Sequence, residues 1–191
     1  MMTLLLQLLW LAVPVIVSGL VHLAVLKLDL MPALRRMPID GGATFRGRRL
    51  FGDNKTWRGA VVTITTMTVT AWVLAKVHDC CFTLPTLVPF AETHPLAWGL
   101  LLGTGYILGE LPNSFVKRQI GIGPGASGTG FTGRLFWVID QLDSLAGMLL
   151  LTWPVWHPPL PLVALLVAIM LVAHPLGAWV MVLFGLKDRI G

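Results

Sequence analysis

Two carboxylates stand where the sequence is otherwise hydrocarbon. The run Leu135-Phe136-Trp137-Val138-Ile139-Asp140-Gln141-Leu142-Asp143-Ser144-Leu145 is apolar apart from this group. A spacing of three places Asp140 and Asp143 on one helix face, about a turn apart. A bare carboxylate at membrane depth is costly, so such residues usually face a polar cavity and mark function. Two like charges side by side cost more still unless a cation neutralises them. Mg²⁺ suits the pair: it is a hard ion that takes one or two carboxylates, keeps waters and binds substrate phosphates. The alternative is a structural pairing of these aspartates with Arg134 or Lys117. Glu110 lies at the same depth in the preceding apolar stretch, as a third metal ligand or as an interfacial residue.

The elements that must position these groups follow from composition. The chain has 191 residues, 55% hydrophobic and 12% charged. A soluble domain of this size carries roughly a quarter charged residues. The apolar residues come in long runs without the alternation of a half-buried strand. A bilayer core needs about 20 apolar residues per helical span. Five stretches qualify: 4–26, 59–76, 95–112, 135–157 and 160–184. The sequence thus predicts an all-α integral membrane protein of five transmembrane helices, with residues 1–191 forming a single catalytic domain. The first stretch reads as a retained helix, because Met1-Met2-Thr3 supplies no positive n-region and the run exceeds a normal signal-peptide core.

Thirteen of the fourteen Lys and Arg residues fall on one side of these spans, the exception being Lys76. By the positive-inside rule that side is the cytoplasm, which sets the N-terminus outside and the C-terminus, with Lys187 and Arg189, inside. The expected location is the cell membrane, multi-pass, with the polar site facing the cytoplasm. The net charge of +5 is accounted for by interfacial anchoring to anionic lipid. No aromatic-interleaved basic stripe points to nucleic acid, and no protein partner is evident. His22 and His174 read as core histidines. Cys80 and Cys81 form no metal-ligand pattern.

Polarity concentrates in two cytoplasmic loops, 27–58 and 113–134. The first contains Pro32, Pro38 and Gly41-Gly42, which disfavour a long helix. It ends in Gly52-Asp53-Asn54-Lys55-Thr56-Trp57-Arg58-Gly59, where Asp, Asn and Thr can cap the second span and a free helix N-terminus attracts anions. Interfacial anchoring by Lys55, Trp57 and Arg58 explains the same segment equally well. The second loop is expected to begin after Pro112 and to carry Asn113, Ser114, Lys117 and Arg118. Its glycines, from Gly121 through Gly123, Gly125, Gly128 and Gly130 to Gly133 around Ser127, suit a phosphate-cradling nest or a flexible linker. They do not form a Walker A motif.

Three blocks together, Gly52–Gly59, Glu110-Leu111-Pro112-Asn113-Ser114-Phe115-Val116-Lys117-Arg118 and Asp140-Gln141-Leu142-Asp143-Ser144, resemble the CDP-archaeol synthase family in content and order. The resemblance implies a membrane enzyme that transfers CMP from CTP onto an unsaturated archaeal ether-lipid phosphate with Mg²⁺, releasing pyrophosphate. A more distant similarity links Ser114, Lys117-Arg118, Pro124-Gly125 and Asp140/Asp143 to phosphatidate cytidylyltransferases, though Gln141 stands where that family has Arg.

On this reading Asp140 and Asp143, with Glu110, hold Mg²⁺. Lys117 and Arg118 neutralise the leaving pyrophosphate or the lipid phosphate. Asp53, Asn54, Lys55, Thr56, Arg58, Asn113 and Ser114 bind the nucleotide. The alternatives are the same reaction on diacyl phosphatidate and a non-enzymatic transporter or lipid-binding protein. A CDP-alcohol phosphotransferase is rejected: Asp40-Gly41-Gly42-Ala43 opens like its signature and then departs from it.

Overall fold

The structure, a computed structural model, describes residues 2–81, 86–88, 90, 92–126 and 128–185, without the side chains of Met2 and His174. The readings placed on Ser127, Lys187, Arg189 and the His174 side chain lie outside these residues. Five long helices are present: α1 (Met2–Lys27), α3 (Trp57–Cys81), α4 (Pro95–Gln119), α5 (Gly130–Thr152) and α6 (Leu160–Leu183). A short helix, α2 (Pro32–Arg35), and an antiparallel hairpin of β1 (Thr44–Phe45) and β2 (Arg48–Arg49) occupy the first loop.

Among the described residues, α1, α3, α5 and α6 are long and apolar enough to cross a membrane. Helix α4 is as long as α3 but falls outside that set, because four glycines, Thr104, Tyr106 and Glu110 dilute its apolar residues. The outer helices expose large apolar side chains such as Leu4, Leu20, Leu160 and Val172, as hydrocarbon-facing helices do.

Helix α4 lies at the centre of the bundle, between α3 and α5. A Cβ at Gly99 or Gly103 would strike the α3 backbone at Thr68 and Ile64. On the other face the approach is closer: a Cβ on Gly109 would lie 2.2 Å from the carbonyl oxygen of Asp143, and one on Gly147 would lie 2.1 Å from that of Gly105. Small residues at helix contacts let membrane helices pack backbone to backbone. This contact fixes the register of α4 against α5. Gly105, Gly109, Asn113 and Lys117 recur every fourth residue, so they form one ridge of α4. Tyr106, Glu110, Ser114 and Arg118 form the adjacent ridge. Towards the opposite end of the bundle the core is apolar, built on Met67, Trp98, Leu102, Met148 and Trp156, with the Trp98 and Trp156 rings edge-on at 5.4 Å.

Two expected boundaries are corrected. The second loop does not begin after Pro112, because α4 continues through it to Gln119. Proline removes a helical N–H, but contacts from α5 and from the first loop hold the last two turns. Helix α5 spans Gly130–Thr152 in place of the expected 135–157. The polar connection is therefore only 120–129, and Asn113, Ser114, Lys117 and Arg118 sit on a helix.

The first loop folds back on itself. An antiparallel bridge joins Pro38 to Thr56, Ile39 N–H donates to Lys55 O at 2.8 Å, and Trp57 N–H donates to Met37 O at 2.9 Å. Its hairpin docks on the end of α4. Arg48 donates to the carbonyl of Gln119, Gln119 Nε2 donates to Arg49 O at 3.1 Å, and the Phe45 and Phe115 rings lie 5.8 Å apart.

Candidate active site at the polar end of the bundle

The ridge alignment brings α4 and α5 side chains together. Asn113 Nδ2 donates to Asp140 Oδ1 and to Asp143 Oδ2, each at 2.7 Å. Lys117 Nζ donates to both oxygens of Asp140, at 3.0 and 2.8 Å. Asp143 Oδ1 accepts from the Ser144 N–H at 2.7 Å and from its hydroxyl at 3.2 Å. The Lys117 pairing weighed from the sequence is therefore present, whereas Arg134 is exposed.

Lys55 reaches in from the first loop to pair with Glu110. Glu110 thus answers a lysine, though it lies near enough to Asp143 for their charges to interact. The Tyr106 hydroxyl reaches the side chains of Ser144 and Glu110. Polar groups therefore run continuously from Lys55 through Glu110, Tyr106, Ser144, Asp143, Asn113 and Asp140 to Lys117. Ser144 is fully buried.

Arg118 is also buried, and its donors are incompletely used. Nη1 donates to Ile122 O at 2.5 Å, while Nε is buried without a partner. Its Cδ lies 3.6 Å from the position of a Cβ at Gly52, where Pro124 and Asn54 also meet. Arg118 therefore sits between the two polar loops. Gly52 adopts φ +98°, a conformation open mainly to glycine.

The other candidates from the first loop are more dispersed. Arg58 donates to Asp29 Oδ1 at 3.0 Å and to Leu30 O at 3.3 Å, so its guanidinium is engaged at the end of α1. Asp53 is exposed and paired with Arg49 at 2.6 Å. Asn54 is exposed, Thr56 lies in the bridge to Pro38, and Ser114 is buried one residue beyond Asn113.

Sequence reasoning did not single out Tyr106, Ser144 as a donor to Asp143, Asp29, Asp40 or Arg49 as parts of this network. The i+4 recurrence from Glu110 back to Tyr106 was a usable signal. His22, taken as a core histidine, interacts electrostatically with Glu110, Arg58 and Lys55, and its Cε1 is 3.4 Å from where a Gly59 Cβ would lie.

No group of three or more His, Cys, Asp or Glu side chains poised for a metal occurs among the described residues. The donor chemistry nevertheless fits Mg²⁺. Two carboxylate oxygens converge on one amide NH₂, and the other amide atom, Asn113 Oδ1, is buried without a partner. Asp140, Asp143 and the Asn113 amide oxygen would hold the ion through hard oxygen donors, and it would supply the charge neutralisation the carboxylate pair lacks.

The fold and site define a class: a helical membrane protein with a carboxylate pair inside the bundle, flanked by lysine and arginine. Over residues 1–190 the chain matches the CarS-like family model, described as CDP-archaeol synthase. It is 37% identical over 144 residues to the CDP-archaeol synthase of Methanospirillum hungatei, covering 73% of this chain and 78% of that protein. It is 34% identical over 145 residues to that of Pyrococcus furiosus, covering 74% of each. To the Methanosphaerula palustris protein of the same name it is 39% identical over 116 residues, covering 60% of this chain and 61% of the relative.

The chain belongs to the CDP-archaeol synthase family and is an enzyme of that type, a CTP-dependent cytidylyltransferase. That membership removes the transporter alternative. A solved structure described as an intramembrane enzyme for archaeal membrane lipids biosynthesis shares the fold, with a TM-score of 0.62 over 88% of this chain and 90% of its own, at 21% identity.

Proposed function

We propose that this chain transfers CMP from CTP to an archaeal ether-lipid phosphate of the 2,3-bis-O-geranylgeranylglycerol 1-phosphate kind, with Asp140, Asp143 and Asn113 as the Mg²⁺ seat. The observation that carries this reading is the convergence of Asp140 and Asp143 on Asn113, beside Lys117 and Arg118. An oxygen of the lipid phosphate attacks the α-phosphorus of CTP. The bond from that phosphorus to the bridging oxygen breaks, and pyrophosphate leaves. The nucleophile is already anionic, so no strong general base is required. The barrier lies in bringing two polyanions together, which fixed cations and preorganised donors lower. Bound Mg²⁺ would supply charge neutralisation at the triphosphate oxygens.

The protein side chains divide this work. Lys117, held on Asp140, keeps that carboxylate oriented. Arg118 has donors to spare between the two loops and meets a substrate phosphate. Lys55, held by Glu110 until substrate arrives, serves the nucleotide phosphates with Asn54 and Thr56. Asp53, Arg58 and Ser114 shape the surroundings of that subsite. Helix α4 spans the membrane with α1, α3, α5 and α6, making five spans, the N-terminus lies outside, and the polar end faces the cytoplasm. There, soluble CTP and a membrane-bound lipid can meet.

The test uses purified protein, labelled CTP, Mg²⁺ and a panel of lipid phosphates. Turnover to CDP-lipid and pyrophosphate, faster with the unsaturated ether lipid than with diacyl phosphatidate, is expected. A preference for phosphatidate would transfer the reading to that acceptor. Absence of turnover with every acceptor would overturn it.

A further inference from the structure

The Asp40-Gly41-Gly42 segment lies outside the catalytic groups named above, yet its carboxylate is among the most fully used in the molecule. The Asp40 side chain is 0% exposed. Its Oδ1 accepts from Gly42 N–H at 3.0 Å and from Arg49 Nη2 at 2.6 Å, and its Oδ2 accepts from Phe51 N–H at 3.0 Å and Gly52 N–H at 3.3 Å. Arg49 extends the network to Asp53, and its carbonyl accepts from Gln119 of α4.

These contacts lead directly to the site. The Gly52 carbonyl accepts from Lys55 N–H at 3.2 Å, and the Lys55 carbonyl accepts from Ile39, the neighbour of Asp40, at 2.8 Å. The main chain of Lys55 is thus bracketed on both sides by residues tied to Asp40, and its side chain runs to Glu110. Gly52 itself packs against Asn54, Pro124 and Arg118.

We infer that Asp40 and Arg49 are positioning residues for the reaction: their ion pair fixes the Gly52–Lys55 turn that presents Lys55 to the nucleotide phosphates. The inference rests on the CTP-binding reading above and adds the residues that set its geometry. Neither side chain touches substrate; both act through Gly52 and Lys55. A purely structural role would lower the amount of active enzyme and leave its KM unchanged. Positioning predicts the opposite split.

The experiment compares wild type, Asp40→Asn, Arg49→Gln, Arg49→Lys and the Asp40→Asn/Arg49→Gln double variant in detergent. The KM for CTP is expected to rise about tenfold or more in Asp40→Asn and Arg49→Gln, with a smaller change in kcat. Arg49→Lys, which keeps the charge, recovers most of the loss. The double variant falls short of the sum of the two single changes, since both break the Asp40–Arg49 pair. Limited trypsin cleavage within the hairpin, at Arg46 or Arg48, is faster in Asp40→Asn and slows at saturating CTP.

An unchanged KM in folded Asp40→Asn, or an additive double variant, overturns the inference. If Asp40→Asn fails to fold, Arg49→Gln decides it by the same criterion. A wild type without CTP turnover would instead sink the proposed reaction, and equal cleavage of wild type and Asp40→Asn would still refute the ordered turn.

Discussion

Asn113 bridges Asp140 and Asp143 with a single amide nitrogen, 2.7 Å from each. One neutral donor therefore holds together two groups that would otherwise repel. Asn113→Ala removes both the bridge and a candidate oxygen ligand. Its apparent Mg²⁺ affinity is expected to fall by about 10–100-fold, the range seen for groups that orient metal ligands. The check is Mg²⁺-dependent thermal stabilisation without CTP, followed by turnover against Mg²⁺ concentration. An unaltered Mg²⁺ response would remove Asn113 from the metal seat.

Lys117 and Arg118 are neighbours with different commitments. Lys117 is bonded to Asp140 and buried, so Lys117→Ala removes the ion pair of Asp140 and is expected to cost about 3 kcal/mol of stability as well as activity. Arg118 feels the charge of Asp140, but its Nε is buried without a hydrogen-bond partner. Arg118→Ala is expected to change the midpoint of thermal unfolding little while lowering kcat/KM by about a hundredfold or more. Thermal unfolding beside steady-state kinetics separates the two; a larger stability loss in Arg118→Ala would reverse the assignments.

The parts of this site that were legible in the sequence were those that broke a pattern. Asp140 and Asp143 stood out because charge interrupts an apolar run, and the partnership of Asp140 with Lys117 was among the readings that the spacing allowed. The helical setting of Asn113, Lys117 and Arg118 was not legible, because Pro112 reads as a stop while tertiary contacts carry the helix past it. Tyr106 was hidden for the opposite reason: a tyrosine in an apolar helix breaks no pattern, and only the close passage of α4 and α5 sets it beside Glu110 and Ser144. The pairing of Arg58 with Asp29 was not legible either, because Asp29 lies beyond the end of α1, where no local spacing announces it.

That close passage is itself testable. A methyl group at Gly109 has no room beside the Asp143 carbonyl, which is backbone and cannot swing aside. Gly109→Ala is expected to force α4 from α5, costing about 1–3 kcal/mol as overpacking does, and to abolish turnover by separating Asn113 from the aspartates. Gly177→Ala, where a Cβ meets nothing within 4 Å, is the control. Unfolding midpoints and activity of the two variants provide the measurement, and equal behaviour would refute helix contact as the device that assembles the site.

The first loop predicts an acid limb in stability. Burial by itself would raise the Asp40 carboxyl, but the hydrogen bonds from Arg49 and from the Phe51, Gly42 and Gly52 amides outweigh it and hold the group at about 2, below its usual 3.8. Because the folded value is the lower one, the contribution is fully present above the unfolded value near 3.8 and is lost as pH falls through about 2. Its size is about 2 kcal/mol, from the linkage of pKa to stability. Asp40→Asn lacks this term, so its stability at neutral pH is lower and its decline between pH 4 and pH 2 is shallower by about that amount. Thermal unfolding of both proteins across this range, with loop cleavage as a local probe, measures the difference. Parallel acid limbs would mean that Asp40 is not held ionised by the contacts described.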